Sequence, residues 1–271
     1  MKLTRTPFRV SFFGGGTDYP EWYMKNGGAV LGTSINHYCD LMVHKSGAVT
    51  KFFDLPLRSG LGTSSAYTVG LLRATTDLSK EALAKVAIEW ERDKSGGNVG
   101  HQDQYLCSIG GLLHITFSEY GIEYERINPF ELERNLMLFY TGRRANGSYA
   151  VIEDQLSHIK DNDSILGEIH SLAEEAIQNI NSVEFGRMLN HTWELKKKLS
   201  TKISNIDIDE MYADALDAGA VGGKLLGAGS GGFLLLYVEP DKQENVRDVL
   251  GIQDVPFKFD SKGSILLYAD N

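Results

Sequence analysis

Gly60-Leu61-Gly62-Thr63-Ser64-Ser65-Ala66 runs straight into the apolar segment 67–72. Its glycines let the backbone turn tightly and come close to a ligand with no Cβ in the way. Three hydroxyls follow, and then a helical pattern starts, spanning 66 to about 77. The first N–H groups of a helix have no partner within it and carry partial positive charge, which suits an anion and above all a phosphate. The hydroxyls of Thr63, Ser64 and Ser65 could also reach a metal ion that accompanies the phosphate. Two other glycine loops are excluded. No lysine follows the glycines as in G-x-x-x-x-G-K-[ST], and Ser65 stands where G-x-G-x-x-G needs glycine. A loop that merely caps a helix is the alternative reading.

Upstream, residues 8–13 alternate, with Phe8, Val10 and Phe12 on one face and Arg9, Ser11 and Phe13 on the other, the pattern of a half-buried strand. It ends in Gly14-Gly15-Gly16-Thr17-Asp18-Tyr19-Pro20, a run of turn formers able to close around a polar ligand. Asp18 could equally cap the short helix near Glu21. Residues 28–36 and 38–44 read as two strands joined tightly at Asn36-His37, and 49–53 as a third.

Downstream, Ser79 is a candidate N-cap for a helix from Lys80, with Leu83, Val86, Ala87 and Trp90 as its buried face. Glu91 borders that stripe, either half-buried for a reason or at a frayed end. Gly100-His101-Gln102-Asp103-Gln104 opens a further helical turn, where Asp103 is either a functional carboxylate or an N-cap. Strands are expected over 112–117 and up to 127.

Asn128-Pro129 marks the expected boundary between residues 1–128 and 129–271. The second half begins with a strand at 136–141 and turns helical near 146–160, 164–180, 184–199 and 207–218. Phe185, Met188, Leu189 and Trp193 form a core stripe, and Lys196-Lys197-Lys198 reads as a solvated helix end. GGKLLGAGSGG (222–232) is a second glycine-rich loop before the apolar strand 233–238. A loop so dense in glycine serves close approach to a ligand or another backbone. A helix at 241–250 and a strand pair, 255–259 with 264–268, finish an α+β arrangement.

The 271 residues are 42% hydrophobic and 23% charged, an ordinary globular composition. A formal net charge of -9 argues against non-specific nucleic-acid binding and for a small-molecule partner. Cys39 and Cys107 have neither metal nor disulfide spacing. No signal peptide or membrane span is read, so no membrane partner is expected and the chain reads as cytoplasmic, with a homodimer as the candidate assembly.

Three motifs in order, FRVSFFGGGTDYP, PLRSGLGTSSA and KLLGAGSGGF, resemble those of the GHMP kinase superfamily. GGGTDYP, GHQDQY, LMLFYTG and WELKKKLSTKISN look most similar to the bacterial D-glycero-D-manno-heptose 7-phosphate kinases, with fucose kinases next. The resemblance implies an N-terminal half like domain 2 of ribosomal protein S5 and a ferredoxin-like C-terminal half. It implies ATP and Mg²⁺ as cofactors, with ATP phosphates on Gly60, Leu61, Gly62, Thr63, Ser64, Ser65 and Ala66. By the same resemblance Ser64 binds Mg²⁺ with Glu91 as carboxylate partner, Asp103 orients or deprotonates a sugar hydroxyl, and Arg9 is the cation beside it. Gly15, Gly16, Thr17 and Asp18 would hold the sugar, and Gly227 and Gly229 would bring the last loop to the site. The implied substrate is a sugar or sugar phosphate, first the anomeric hydroxyl of a heptose 7-phosphate, with fucose or galactose as alternatives. A non-catalytic binder of the same fold is the rival. Arg143 and Arg144 are candidate cations for a 7-phosphate, or solvated loop arginines. Between the early strands and Pro56 the chain has only a brief connection, where family members carry a longer insert beside the adenine pocket.

Overall fold

The structure is a computed structural model that describes residues 1–96, 99–142 and 148–270. In chain order its first half is β1 (Lys2–Phe13), α1 (Pro20–Asn26), β2 (Gly28–Val43), β3 (Val49–Phe53), α2 (Thr63–Thr75), α3 (Lys80–Ser95), α4 (Gln102–Ile109), β4 (Leu112–Ser118) and β5 (Gly121–Ile127). The second half adds β6 (Leu136–Tyr140), α5 (Ser148–Ser157), α6 (Asp163–Ala176), α7 (Val183–Lys198), α8 (Ile206–Asp217), β7 (Gly222–Leu225), β8 (Phe233–Tyr237), α9 (Gln243–Leu250) and β9 (Ile265–Ala269).

The larger sheet runs β5-β4-β2-β1-β9, with β3 also on β2, and every described pairing is antiparallel. The segment expected as two strands is one continuous β2. Its register steps from Pro7↔Tyr38 to Phe8↔Ile35, leaving Asn36 and His37 as a bulge rather than a turn. Both flanks keep β1 as partner, so the chain never reverses and the extra residues are absorbed locally. β1 is also more buried than alternation predicted. α2 and α4 pack on it, α6 and α7 reach it from the second half, and residues 8–13 are buried on both faces. Phe185 of α7 packs edge-on against Phe12 at 5.5 Å and Phe13 at 5.0 Å, so the two halves share core.

α3 starts as expected, with Ser79 Oγ accepting from the Ala82 N–H at 3.2 Å. Its buried face is Leu83, Ala84, Ala87 and Ile88. Trp90 is 40% exposed and lies under the Lys94 ammonium at 4.4 Å instead of in the core.

The smaller sheet is β6-β8-β7. No regular strand forms over 255–259. Single bridges stand at its two ends instead, Phe139↔Asp254 to the smaller sheet just before it and Ile35↔Phe259 to the larger at its last residue. The strand expected to pair with it, β9, pairs with β1. The first residues of the glycine-rich stretch form β7, where a Cβ on Gly222 would meet the Gly186 carbonyl oxygen at 2.1 Å, so α7 lies directly on the strand backbone. Lys196, expected in solvent, is buried and donates to the carbonyl oxygens of Leu225 (3.3 Å) and Gly227, tying α7 to the second glycine loop. Among the described residues no helix is long and apolar enough to cross a membrane.

Candidate active site

Arg9 lies at the middle of the site, carried on β1 and 5% exposed. Its backbone N–H donates to the Leu61 carbonyl at 3.0 Å, which docks the first glycine loop on the strand. Its guanidinium grips Asp103 at the start of α4 with two bonds, Nε to Oδ1 and Nη2 to Oδ2, both 2.7 Å. Nη1 donates to the Gly60 carbonyl oxygen. Burial opposes the charge on Arg9, but Asp103 more than compensates and the guanidinium is held above its ordinary value. Residues nearly a hundred positions apart thus form one planar, charge-assisted unit at the edge of the loop.

The loop has the geometry its sequence suggested. Gly60 and Gly62 take φ +97° and +68°, and Gly62 is the left-handed N-cap of α2. No acidic residue occupies the first turn of α2 and no side chain caps it. Among the described residues no acceptor is found for the N–H groups of Thr63, Ser64 and Ser65, while the Ala66 N–H returns to Gly62. A Cβ on Gly62 would stand 3.4 Å from Asp103 Oδ2, so the carboxylate borders the loop mouth.

Glu91 is placed by α3 behind the start of α2. Its Oε2 accepts from Ser65 Oγ at 2.9 Å and from Gln104 Nε2 at 2.7 Å. Ser65 is therefore the serine in direct contact with Glu91, while Ser64, expected to share a metal ion with that carboxylate, is exposed at the loop surface. Glu91 Oε1 is buried without a hydrogen-bond partner, and burial raises the carboxyl's pKa against the pull of Gln104, Ser65 and Thr68. An orphaned carboxylate oxygen beside the hydroxyls of Ser65 and Thr68 fits a hard cation. Among the described residues there is no cluster of three or more acidic, histidine or cysteine side chains able to hold a metal. A cation here would complete its shell from a ligand and water, as Mg²⁺ commonly does.

The Gly14–Thr17 turn is fastened to β2, with Thr17 Oγ1 donating to the carbonyls of Gly14 (2.8 Å) and Ala29 (3.0 Å). Asp18 is 2% exposed and accepts from the N–H groups of Gly16 (3.1 Å) and Gln102 (3.3 Å). Burial raises its carboxyl, opposed by Gln102 and Gly16. It joins the turn to the start of α4 instead of capping α1, whose N-cap is Tyr19. A Cβ built on Gly15 would make ordinary contact with Gln102 Nε2 at 3.8 Å and Ser11 Oγ at 3.9 Å, so all three residues meet beside the turn.

In the second glycine loop the close approach belongs to Gly232. Its Cβ would fall 2.1 Å from the Ser59 carbonyl oxygen, which also accepts from the Phe233 N–H at 3.1 Å. Gly229 turns instead against Ile203, and Gly227 carries the carbonyl that Lys196 holds. Arg143 and Arg144 lie outside the described residues. The sequence reading missed Lys224, a buried cation on β7 whose Nζ donates to the Phe12 carbonyl at 2.8 Å. A lysine inside an otherwise apolar run was the available signal.

Comparison with known proteins places these loops in context. Over 90% of its length the chain is 28% identical to the D-glycero-alpha-D-manno-heptose 7-phosphate kinase of Campylobacter jejuni, spanning 91% of that protein. It is 25% identical to the mevalonate kinase of Methanocaldococcus jannaschii over 74% of this chain and 64% of that one. A crystal structure of a D-glycero-D-manno-heptose 1-phosphate kinase from Bacteriodes thetaiotaomicron superposes over 100% of both chains with a TM-score of 0.77 at 23% identity, which shows the same fold. Residues 35–111 match the GHMP kinases N terminal domain and residues 173–253 the GHMP kinases C terminal model. One segment lies in each half, together they span more than half of the sequence, and the chain belongs to the GHMP kinases.

Proposed function

We propose that this kinase transfers the γ-phosphoryl group of ATP to a sugar hydroxyl, most specifically the anomeric hydroxyl of D-glycero-D-manno-heptose 7-phosphate. The observation that carries the reading is the Arg9–Asp103 pair at the mouth of a helix-capping glycine loop with unclaimed N–H groups. The choice of sugar rests on similarity along nearly the whole length of a heptose 7-phosphate kinase. Residues 1–128 and 129–271 are proposed as its two domains, with β9 returning to the first, and the cytoplasm as its location.

In this reading the N–H groups of 60–66 hold the ATP phosphates and the positive end of α2 offsets their charge. Ser64 or Ser65 with Glu91 would hold Mg²⁺, which neutralises charge on the transferring phosphates. Asp103 orients the sugar hydroxyl and takes its proton as the oxygen bonds to phosphorus and the bond to ADP breaks. Arg9 fixes both carboxylate oxygens, so the pair presents one geometry to the acceptor. Asp18 and the Gly15–Thr17 turn hold other hydroxyls of the sugar.

The test is ADP release measured with heptose 7-phosphate, fucose, galactose and mevalonate in parallel. Turnover that requires the heptose phosphate supports the reading. Saturable sugar binding with no ADP release from any of them would favour the non-catalytic binder.

Gly62→Ala probes the same junction. Its Cβ would come 2.9 Å from Arg9 Cγ in a left-handed backbone conformation. The backbone strain alone costs about 1–2 kcal/mol. Lower thermal stability and at least about a tenfold fall in kcat are expected, about 1.4 kcal/mol in the barrier, read by thermal unfolding and steady-state kinetics. Wild-type kcat would show that the loop does not hold the Arg9–Asp103 pair in place.

A further inference from the structure

The geometry points to Lys224 as a further sugar-binding residue, a hydroxyl-directed donor that the second half of the chain inserts into the site built by the first. The inference rests on the sugar-kinase reading above. Lys224 is 2% exposed on β7, and its one hydrogen bond among the described residues is to the Phe12 carbonyl, at the end of β1 where the Gly14–Asp18 turn begins. It makes no ion pair within 4.0 Å among those residues, although Arg9 and Asp18 are the charges that act on it. An ammonium carries three donors and accepts nothing. Burying one for a single backbone carbonyl is costly, and strand β7 could carry an apolar residue there, as Leu225 does next to it.

The surroundings are short of partners in a complementary way. Ser11 Oγ and Gln102 Oε1 are buried with none, and both side chains reach within 4 Å of a Cβ built on Gly15, in the turn that follows Phe12. Each belongs to a residue less than a tenth exposed. Buried polar atoms left in this state call for a ligand that both donates and accepts, and a polyol supplies both at each hydroxyl. Burial first, with repulsion from Arg9 added and attraction to Asp18 opposing, lowers the Lys224 ammonium to about 7. Near neutral pH the amine is therefore also available as an acceptor.

Lys224→Met keeps the length of the side chain and removes its donors and charge. We expect KM for heptose 7-phosphate to rise at least tenfold in this variant, with KM for ATP within twofold of wild type and a thermal midpoint equal to or above it. Lys224→Gln should shift the sugar KM in the same direction by a smaller factor, and it serves should the methionine variant not fold. A tie that only joins the two halves predicts the opposite pattern, a lower midpoint with unchanged sugar KM. That pattern, or equal rises in both KM values, would overturn the inference. Calorimetric titration with heptose 7-phosphate in the absence of ATP decides independently of turnover. Sugar binding by the wild type in this titration, together with no ADP release when ATP is supplied in the kinetic assay, refutes the kinase reading alone, whereas equal affinity in wild type and Lys224→Met, or no binding to either, refutes the role of Lys224.

Discussion

Asp103→Asn should lower kcat by about 10²–10⁴-fold, the usual worth of a positioned general base, while ATP and sugar still bind. The replacement preserves side-chain shape but removes the negative charge that two Arg9 bonds at 2.7 Å are built around. It also turns one acceptor into an NH₂ group facing a guanidinium, which cannot accept a bond from it. The carboxylate is 23% exposed, so water reaches the site and folding should survive the change. Kinetics and calorimetric binding separate the two effects. Turnover close to wild type would remove Asp103 from the chemistry and leave it a structural partner of Arg9.

Arg9→Met is expected to damage both stability and activity. Arg9 is almost fully buried and its side chain satisfies both oxygens of Asp103 and the Gly60 carbonyl. Truncating one member of such a buried pair costs about 3–5 kcal/mol, because the other charge stays behind. At roughly 2–4 °C per kcal/mol for a chain of this size, the thermal midpoint should fall by about 10 °C. The glycine loop also loses the side-chain bond at the Gly60 carbonyl and keeps only the backbone bond from residue 9 to Leu61, so kcat should fall alongside. Arg9→Lys keeps the charge but cannot span both oxygens and the carbonyl with one ammonium. Activity should stay low in it while stability partly recovers. A midpoint and kcat unchanged in Arg9→Met would show that the pair does not organise the site.

Local chemistry made much of this legible. Glycines with hydroxyls before an apolar helical run gave the loop and α2, and Ser79 gave the start of α3. Arg9 and Asp103 could be named from the motifs, but their bidentate contact depends on β1 and α4 meeting, which no spacing along the chain encodes. Periodicity failed where the partner comes from far away. Trp90 has the right phase to be buried but is exposed beside Lys94, and Lys196 has the phase of a solvated helix end but is held by the carbonyls of the second glycine loop. The bulge at Asn36-His37 resembles a turn because both place polar residues between apolar runs, and only the continuing pairing with β1 separates them. Gly229 and Gly232 are equivalent as letters, and which one meets the first loop is set by where β8 leaves the second loop, beside Ser59. Lys224 escaped attention because a lysine in a strand normally points to water.

The central claim is that the N–H groups opening α2 and the Arg9–Asp103 pair face one transferring phosphoryl group. A crystal structure with a non-hydrolysable ATP analogue and heptose 7-phosphate tests it most directly. Phosphates seated on residues 60–66 and an acceptor hydroxyl within about 2.6–3.2 Å of an Asp103 carboxylate oxygen, the reach of a general base, are expected. Phosphates bound elsewhere, or an acceptor hydroxyl out of reach of Asp103, would contradict it.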